Sequence, residues 1–214
     1  FEKLIKKKGN IISDANIPQS EKIKNISVKR NINLSLIFNK EKGIELISHK
    51  FINEKKILKI RFNKTNHKIE LNLIGKIQIK NILMAILAAN KSGLEFKKII
   101  NVIHKIKPVE GRLEKIGKIK NRSMVILDYA HTPEALKMTL SGIKEQFPAS
   151  KISLVFGCGG DRDIKKRSIM GKIAEKYSDK IYLTDDNPRS ENPLEIRKEI
   201  KKGIKKIKVC ELSN

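Results

Sequence analysis

Two short charged segments carry most of the side chains that could do chemistry in this sequence. Asp161-Arg162-Asp163 closes the glycine-rich run Gly157-Cys158-Gly159-Gly160, and Asp185-Asp186-Asn187-Pro188-Arg189 follows 22 residues later. Their carboxylates can receive an ammonium group and their guanidinium groups can pair with carboxylates, so the set suits a zwitterionic ligand. Arg162 stands between two aspartates, an arrangement from which a plain surface loop gains little. Asn187-Pro188 would set a turn, but a turn needs neither the aspartates before it nor Arg189 after it. The glycine run is not a phosphate loop, because no Gly-Lys-Ser/Thr follows it, and Arg162 replaces the third glycine of a dinucleotide fingerprint. Its glycines read as allowing a tight turn. Cys158 lacks an adjacent base and reads as structural. Lys165, Lys166 and Arg167 read as a solvated helix face.

A second constellation lies upstream. Val125-Ile126-Leu127 is an apolar strand that delivers Asp128 to its carboxyl end, where a carboxylate can take both hydroxyls of a ribose. His131 and Thr132 come next. Thr132 suits an N-cap before Pro133 at the first helical position, and for His131 capping and ligand contact are both open. Arg112 sits beside Gly111 at Pro108-Val109-Glu110-Gly111, the best hinge in the chain, and interdomain clefts hold ligands. Asn81 opens a helix, where capping is the alternative to binding. His49, His67 and His104 are isolated. No His/Cys cluster has zinc spacing and no nucleophile-base pair can be argued, so no catalytic residue and no metal ligand is assigned.

The elements that must position these residues follow from hydrophobic periodicity. Ile152–Phe156 and Ile181–Thr184 read as buried parallel strands and Ile169–Tyr177 as the helix between them. In such a βαβ unit both charged loops leave from carboxyl ends of strands, the edge where open α/β sheets bind ligands. Further helices are predicted over Pro133–Phe147 and Pro193–Lys206, with another strand beginning near Cys210. Between residues 32 and 74, alternation marks four strands, Asn33–Asn39, Gly43–Phe51, Lys56–Asn63 and Lys68–Ile74, as an antiparallel meander with one wet face. Residues 79 to 107 form two helices, the first with Ile82, Leu83, Ala85, Ile86 and Ala89 on its apolar stripe, the second with Ile99, Val102, Ile103 and Ile106 inward. Residues 1 to 30 are weakly patterned. Phe1–Lys8 could finish a helix, Ile11–Ser13 could be a strand, and Asp14–Gln19 a loop.

The expected fold class is α/β. Residues 1–110 would be part of one domain with a small antiparallel sheet, and residues 111–214 a truncated Rossmann-like parallel domain. The chain has 47 Lys+Arg against 23 Asp+Glu, a net charge of +24 in 214 residues. Such a charge favours anionic partners. The lysines, isoleucines and asparagines are spread evenly, though, which reads as a compositional bias of the whole chain. No Arg-rich tract or aromatic-interleaved signature supports nucleic acid, and a basic nucleic-acid-binding module is the alternative from a different class. Two cysteines make no disulfide framework, so a reducing cytoplasm is expected. No apolar run nears 18 residues, so no membrane span is expected. The first residue is not Met and the last residues enter a strand, which reads as a piece of a longer protein.

Four motifs in order resemble the Mur ligase family. They are Gly75-Lys76-Ile77-Gln78-Ile79-Lys80-Asn81, Pro108-Val109-Glu110-Gly111-Arg112-Leu113-Glu114, Asp128-Tyr129-Ala130-His131-Thr132-Pro133, and Gly157–Asp163 with Asp186-Asn187-Pro188-Arg189. Gln78 stands where that family usually has Asn. The resemblance covers residues 70 to 214 well and 1 to 70 by pattern only. It implies residues 1–110 as the end of the family's central, ATP-binding domain and 111–214 as its C-terminal domain. The last tetrapeptide is similar to that of the branch adding meso-diaminopimelate to UDP-N-acetylmuramoyl-L-alanyl-D-glutamate in peptidoglycan synthesis. The implied chemistry is ATP-dependent amide ligation through an acyl phosphate, with Mg2+. Asn81, Arg112, Asp128 and His131 would contact the adenine nucleotide. Arg162, Asp186, Asn187, Pro188 and Arg189 would hold diaminopimelate. A lysine-adding or folylpolyglutamate-synthetase-like relative is the nearest alternative. The resemblance further implies a cytoplasmic monomer without specific nucleic acid. The phosphate loop, the carbamylated lysine and the UDP-sugar domain would lie upstream of Phe1, and the chain would be inactive alone.

Overall fold

The computed structural model describes residues 5–6, 8–52, 55–119 and 123–213. The chain forms two compact units, Phe1–Pro108 and Val109–Asn214. The first contains β1 (Asn10–Asp14), α1 (Ser20–Lys29), β2 (Asn33–Ile37), β3 (Gly43–Ile52), β4 (Lys55–Phe62), β5 (Thr65–Leu71), α2 (Ile77–Lys91) and α3 (Phe96–Val102). Its strands form one sheet in the order β1-β2-β3-β4-β5. Alternation works as the sequence suggests: Leu58 and Ile60 are buried between the exposed or half-buried Lys59 and Arg61. The buried face packs on Ile79, Ile82, Leu83, Ile86 and Leu87 of α2 and on Ile99 and Ile103.

Several local expectations are corrected. Only β3, β4 and β5 form an antiparallel meander; β2 pairs with β3 in parallel. The chain doubles back through residues 38–42, with Phe38 at φ 61°, and re-enters beside Leu36. A Cβ built on Gly43 would lie 2.9 Å from the Leu36 carbonyl carbon and closer to its oxygen, so this return needs a glycine. Helix α1 has no counterpart in the sequence reading, because the residues it buries are Ser20 and Ser27 rather than large apolar ones. Ala85 is exposed while Leu87 is buried. Ile99 and Ile103 face the core four residues apart, as a helix requires, but Val102 and Ile106 are exposed. A 3-10 turn over Ile103–Lys105 ends the helix early and turns Ile106 away. The N-terminal helix expected over Phe1–Lys8 falls largely on residues 1–4 and 7, outside the described residues.

The second unit contains β6 (Glu114–Lys118), β7 (Met124–Leu127), α4 (Pro133–Gln146), β8 (Ser153–Phe156), α5 (Lys165–Tyr177), β9 (Lys180–Thr184), α6 (Pro193–Lys201) and β10 (Val209–Leu212). Strands β8, β9 and β10 pair in parallel, with β9 central. Leu136, Leu140, Met170, Ala174, Ile181, Leu183, Ile196 and Ile200 form the core between sheet and helices. Thr132 caps α4 by accepting from the Ala135 amide at 3.2 Å, and Pro133 occupies the first turn. Strand β7 is not the buried strand expected from its sequence. It pairs antiparallel with β6, and Val125 and Leu127 are exposed. Helix α6 stops at Lys201 rather than Lys206. Glu175 draws the following segment onto α5 by accepting from the amides of Lys205 (2.6 Å), Lys206 and Ile207 (3.2 Å).

Candidate active site

The two charged loops leave the carboxyl ends of adjacent parallel strands, Phe156 of β8 and Thr184 of β9, and they interlock. The Gly160 amide donates to the Asn187 carbonyl at 2.9 Å. The Asp161 amide donates to Glu191 Oε1 at 2.6 Å. Ser190 returns two bonds to the Asp161 carboxylate, from its hydroxyl at 2.7 Å and its amide at 3.3 Å. Arg189 donates from Nη1 to the Gly160 carbonyl at 2.6 Å. The backbones approach so closely that a Cβ on Gly160 would lie 2.6 Å from the Pro188 carbonyl carbon, and closer to its oxygen. Asp161 and Arg189 both sit at φ 50°, a left-handed conformation that costs a non-glycine residue about 1–2 kcal/mol. The bonds across the loops offset that cost.

Beneath the loops lies Arg167, whose side chain is 2% exposed. Its guanidinium grips Glu191 with two bonds of 2.8 Å, and Nη2 also donates to the Gly159 carbonyl at 3.3 Å. This corrects the expectation of a solvated face over Lys165–Arg167. Lys165 is exposed, but Lys166 donates to the His131 carbonyl at 3.0 Å and Arg167 is part of the loop foundation. The Arg167 fork, with the Asp161 amide second, holds the Glu191 carboxyl down to about 2. Burial raises the Cys158 thiol above its ordinary value, and its Sγ lies 3.8 Å from Met170 Sδ. This agrees with a structural cysteine.

Internal bonding divides the seven polar residues offered by the loops. Asp185 is ion-paired to Arg197, which also holds Glu211 at 3.1 Å. Asp163 accepts from the Lys165 amide at 2.9 Å just before α5, and Asp161 holds Ser190. Asn187 Oδ1 accepts weakly from the Arg189 amide at 3.3 Å. What remains for a ligand is Arg162, exposed and without a side-chain partner among the described residues, Asp186 likewise, the Asn187 Nδ2 group, and the Nε and Nη2 edge of Arg189. The Pro188 carbonyl makes the close backbone approach to Gly160. The open set still pairs two guanidinium groups with one carboxylate.

The upstream constellation gathers in the same unit. Asp128 Oδ1 accepts from the Ala130 amide (3.1 Å) and the Thr139 hydroxyl (2.8 Å), and Oδ2 accepts from the Leu113 amide (2.9 Å). Three of the roughly four acceptor positions of the Asp128 carboxylate are filled in this way. The Arg112 guanidinium lies 4.8 Å from the centre of the Tyr129 ring. The His131 ring meets Tyr129 edge-on at 5.2 Å, and its Nδ1 is 3.1 Å from the Tyr129 carbonyl. Tyr129 is 64% exposed, and Arg112, Tyr129 and His131 together form an exposed cationic and aromatic ledge. Such a ledge can stack a purine and attract phosphate. Asn81 belongs to the other unit. It does not cap α2, which begins at Ile77; its amide bonds Gln78 Oε1 at 3.3 Å.

Three residues of these arrangements had no functional reading from sequence. Arg167 and Glu191 carry no local signal, since their partnership spans 24 positions. Tyr129 lies inside the Asp128–Pro133 motif, and only its exposure beside Arg112 and His131 brings it into the site.

Residues 111–213 match the Mur ligase, glutamate ligase domain. The UDP-N-acetylmuramoyl-L-alanyl-D-glutamate–2,6-diaminopimelate ligase of Rickettsia felis is 39% identical over 209 residues, covering 96% of this chain and 38% of the relative. That of Buchnera aphidicola subsp. Baizongia pistaciae is 44% identical over 160 residues, covering 74% of this chain and 31% of the relative. The chain thus spans about a third of the length of these relatives. Among solved structures, a UDP-N-acetylmuramoyl-L-alanyl-D-glutamate–2,6-diaminopimelate ligase superposes with a TM-score of 0.64 at 23% identity, covering 96% of this chain and 43% of the other. Mycobacterium tuberculosis folylpolyglutamate synthase complexed with ADP superposes with a TM-score of 0.73 at 16% identity, covering 96% and 45%.

Proposed function

Through residues 111–213 this chain belongs to the Mur ligase family, and from that premise we propose that it carries the amino-acid side of an ATP-dependent ligase. The reaction joins meso-diaminopimelate to UDP-N-acetylmuramoyl-L-alanyl-D-glutamate. The observation that carries this reading is the pair of interlocked loops presenting Arg162, Asp186 and the free edge of Arg189 at the carboxyl ends of β8 and β9. Diaminopimelate has two carboxylates and two amines. Arg189 takes one carboxylate together with the Asn187 Nδ2 group and Arg162 takes the other, while Asp186 receives one ammonium group. The second amine, freed of its proton, is the nucleophile.

ATP enters as a substrate with its Mg2+ and supplies the phosphoryl group that activates the glutamate carboxylate. The amine forms the amide bond at that carbonyl as the acyl–phosphate bond breaks, and inorganic phosphate leaves. The ledge of Arg112, Tyr129 and His131 fits the adenine nucleotide, with one position left on Asp128 for a hydroxyl. No described residue is assigned to the metal. The reading is of a cytoplasmic monomer. No helix among the described residues is long and apolar enough to cross a membrane.

The test is titration of the protein with meso-diaminopimelate and, separately, with L-lysine, which lacks the second carboxylate. Diaminopimelate should bind and lysine should bind at least tenfold more weakly, a difference abolished by Arg189→Ala. Equal binding would favour a lysine-adding relative. No binding of either, with tight and steeply salt-dependent binding of DNA, would favour a nucleic-acid module and sink the proposal.

A further inference from the structure

We propose that Arg167 and Glu191 are the positioning pair that sets the recognition geometry of Arg189, locking the two ligand loops into one rigid platform. The proposal rests on the diaminopimelate reading above and deepens it. Arg189 is exposed, stands in a left-handed backbone conformation at φ 50°, and spends one nitrogen on the Gly160 carbonyl. Within its own loop the Glu191 amide closes a turn onto the Pro188 carbonyl at 3.0 Å, and Arg189 Nη1 lies 3.5 Å from the Asn187 carbonyl. The Arg189 amide bond to Asn187 Oδ1 is long, at 3.3 Å. Added order comes from two residues further on. Glu191 is gripped from below by both terminal nitrogens of Arg167 and accepts the Asp161 amide with the same carboxylate. Asp161 in turn holds Ser190, the neighbour of Arg189, by two bonds.

The chain of contacts therefore runs from α5 through Arg167, Glu191, Asp161 and Ser190 to the backbone on either side of Arg189. Arg162 follows Asp161 directly, so both open guanidinium groups are referred to the same anchor. Arg167 gives the anchor its rigidity. A guanidinium fork fixes a carboxylate in plane and direction, which an ammonium group cannot do. Its third bond, to the Gly159 carbonyl, ties the glycine run into the same point. Both carboxylate oxygens of Glu191 and both terminal nitrogens of Arg167 are spent within this cluster, so neither is assigned a ligand contact. Their effect on binding passes through Arg189 and Arg162.

The experiment combines amide exchange, read by NMR at Gly160, Asp161 and Ser190, with diaminopimelate titration of the protein. The variants are Arg167→Lys, Arg167→Met and Glu191→Gln, with Lys165→Ala as the control on the exposed face. Glu191→Gln and Arg167→Met should speed exchange of the Asp161 and Ser190 amides tenfold or more and weaken diaminopimelate binding about tenfold. Exchange in β9 should stay at the wild-type rate. Arg167→Lys keeps the charge but loses the fork and should fall between. If Arg167→Met fails to fold, Arg167→Lys and Glu191→Gln carry the test. Unchanged loop exchange in both would overturn the proposal, as would faster exchange with undiminished affinity. Should the wild type bind no diaminopimelate, the functional reading falls by itself. The exchange data then still decide whether Arg167 and Glu191 hold the loops.

Discussion

Substitution of Gly160 by alanine tests the interlocked loops most directly. The new methyl would be placed 2.6 Å from the Pro188 carbonyl carbon and nearer still to its oxygen. Both obstructing atoms are backbone, so no side chain can swing aside, and the loops must part by more than an ångström. Forced overpacking of this kind costs about 1–3 kcal/mol. Separation also breaks the bond from the Gly160 amide to Asn187, and the charged bond from Arg189 to the Gly160 carbonyl. These add about 1 and about 1.5 kcal/mol, the latter at the low end because Arg189 is exposed and water replaces part of it. The total is about 3.5–5.5 kcal/mol. In a unit of this size that corresponds to a fall in melting temperature of roughly 15 °C or more. The assay is unusually clean, because tryptophan is absent and all three tyrosines, Tyr129, Tyr177 and Tyr182, lie in the second unit. Tyrosine fluorescence therefore follows the melting of that unit alone. Gly117→Ala is the control. Nothing lies within 4 Å of its added methyl, and its melting should stay within a few degrees of wild type. If the two variants melt within about 3 °C of each other, a margin worth under 1 kcal/mol, the close approach of the loops is wrong and the site built on it falls.

Three further outcomes follow from the same geometry. Arg189→Ala should weaken diaminopimelate binding about 10- to 100-fold, the worth of one charged hydrogen bond, and calorimetric titration showing less than a threefold change would remove Arg189 from the site. The Glu191 carboxyl is depressed from 4.5 to about 2 by Arg167 and the Asp161 amide. Its contribution is complete above pH 4.5 and is lost as the pH falls through about 2, so protection of the Asp161 amide should hold at pH 5 and fade towards pH 2. Loss of that protection already near pH 5 would contradict the pairing. Cys158 is buried with its thiol raised, whereas Cys210 is exposed; mass spectrometry after brief iodoacetamide treatment should find Cys210 alkylated first and Cys158 only in unfolded protein.

Legibility in the sequence divides along the range of the interactions involved. Elements fixed by neighbours in the chain could be read directly: the alternation of β4, the Thr132 cap with Pro133 behind it, and the strand–glycine run–helix–strand order around β8 and β9. Features decided by distant partners could not. Arg167 looks like one more basic residue on a lysine-rich helix until Glu191 is placed beside it. The parallel pairing of β2 with β3 depends on a backbone approach at Gly43 that hydrophobic pattern does not encode. Helix α1 buries serines and so shows no apolar stripe, and Asn81 resembles a cap only while the start of α2 is unknown. Within the loops, composition marks the polar residues but not their division between internal bonds and open valences. Asp161, Asp163 and Asp185 turn inward, leaving Arg162, Asp186 and one edge of Arg189.

The span of the loop contacts also dictates an order of assembly. Asp161 and Glu191 are 30 residues apart and Arg167 and Glu191 are 24 apart. The segment between them contains α5 and β9. The crossover from β8 to β9 has to be laid down before either contact can form, because closing so long a loop has an entropic cost that these contacts alone do not offset. The interlocked loops are thus expected to complete late in folding, after the parallel sheet that supports them. A substitution that slows β8–β9 pairing delays the platform, whereas one confined to the loops leaves the folding rate untouched and shows itself in faster unfolding.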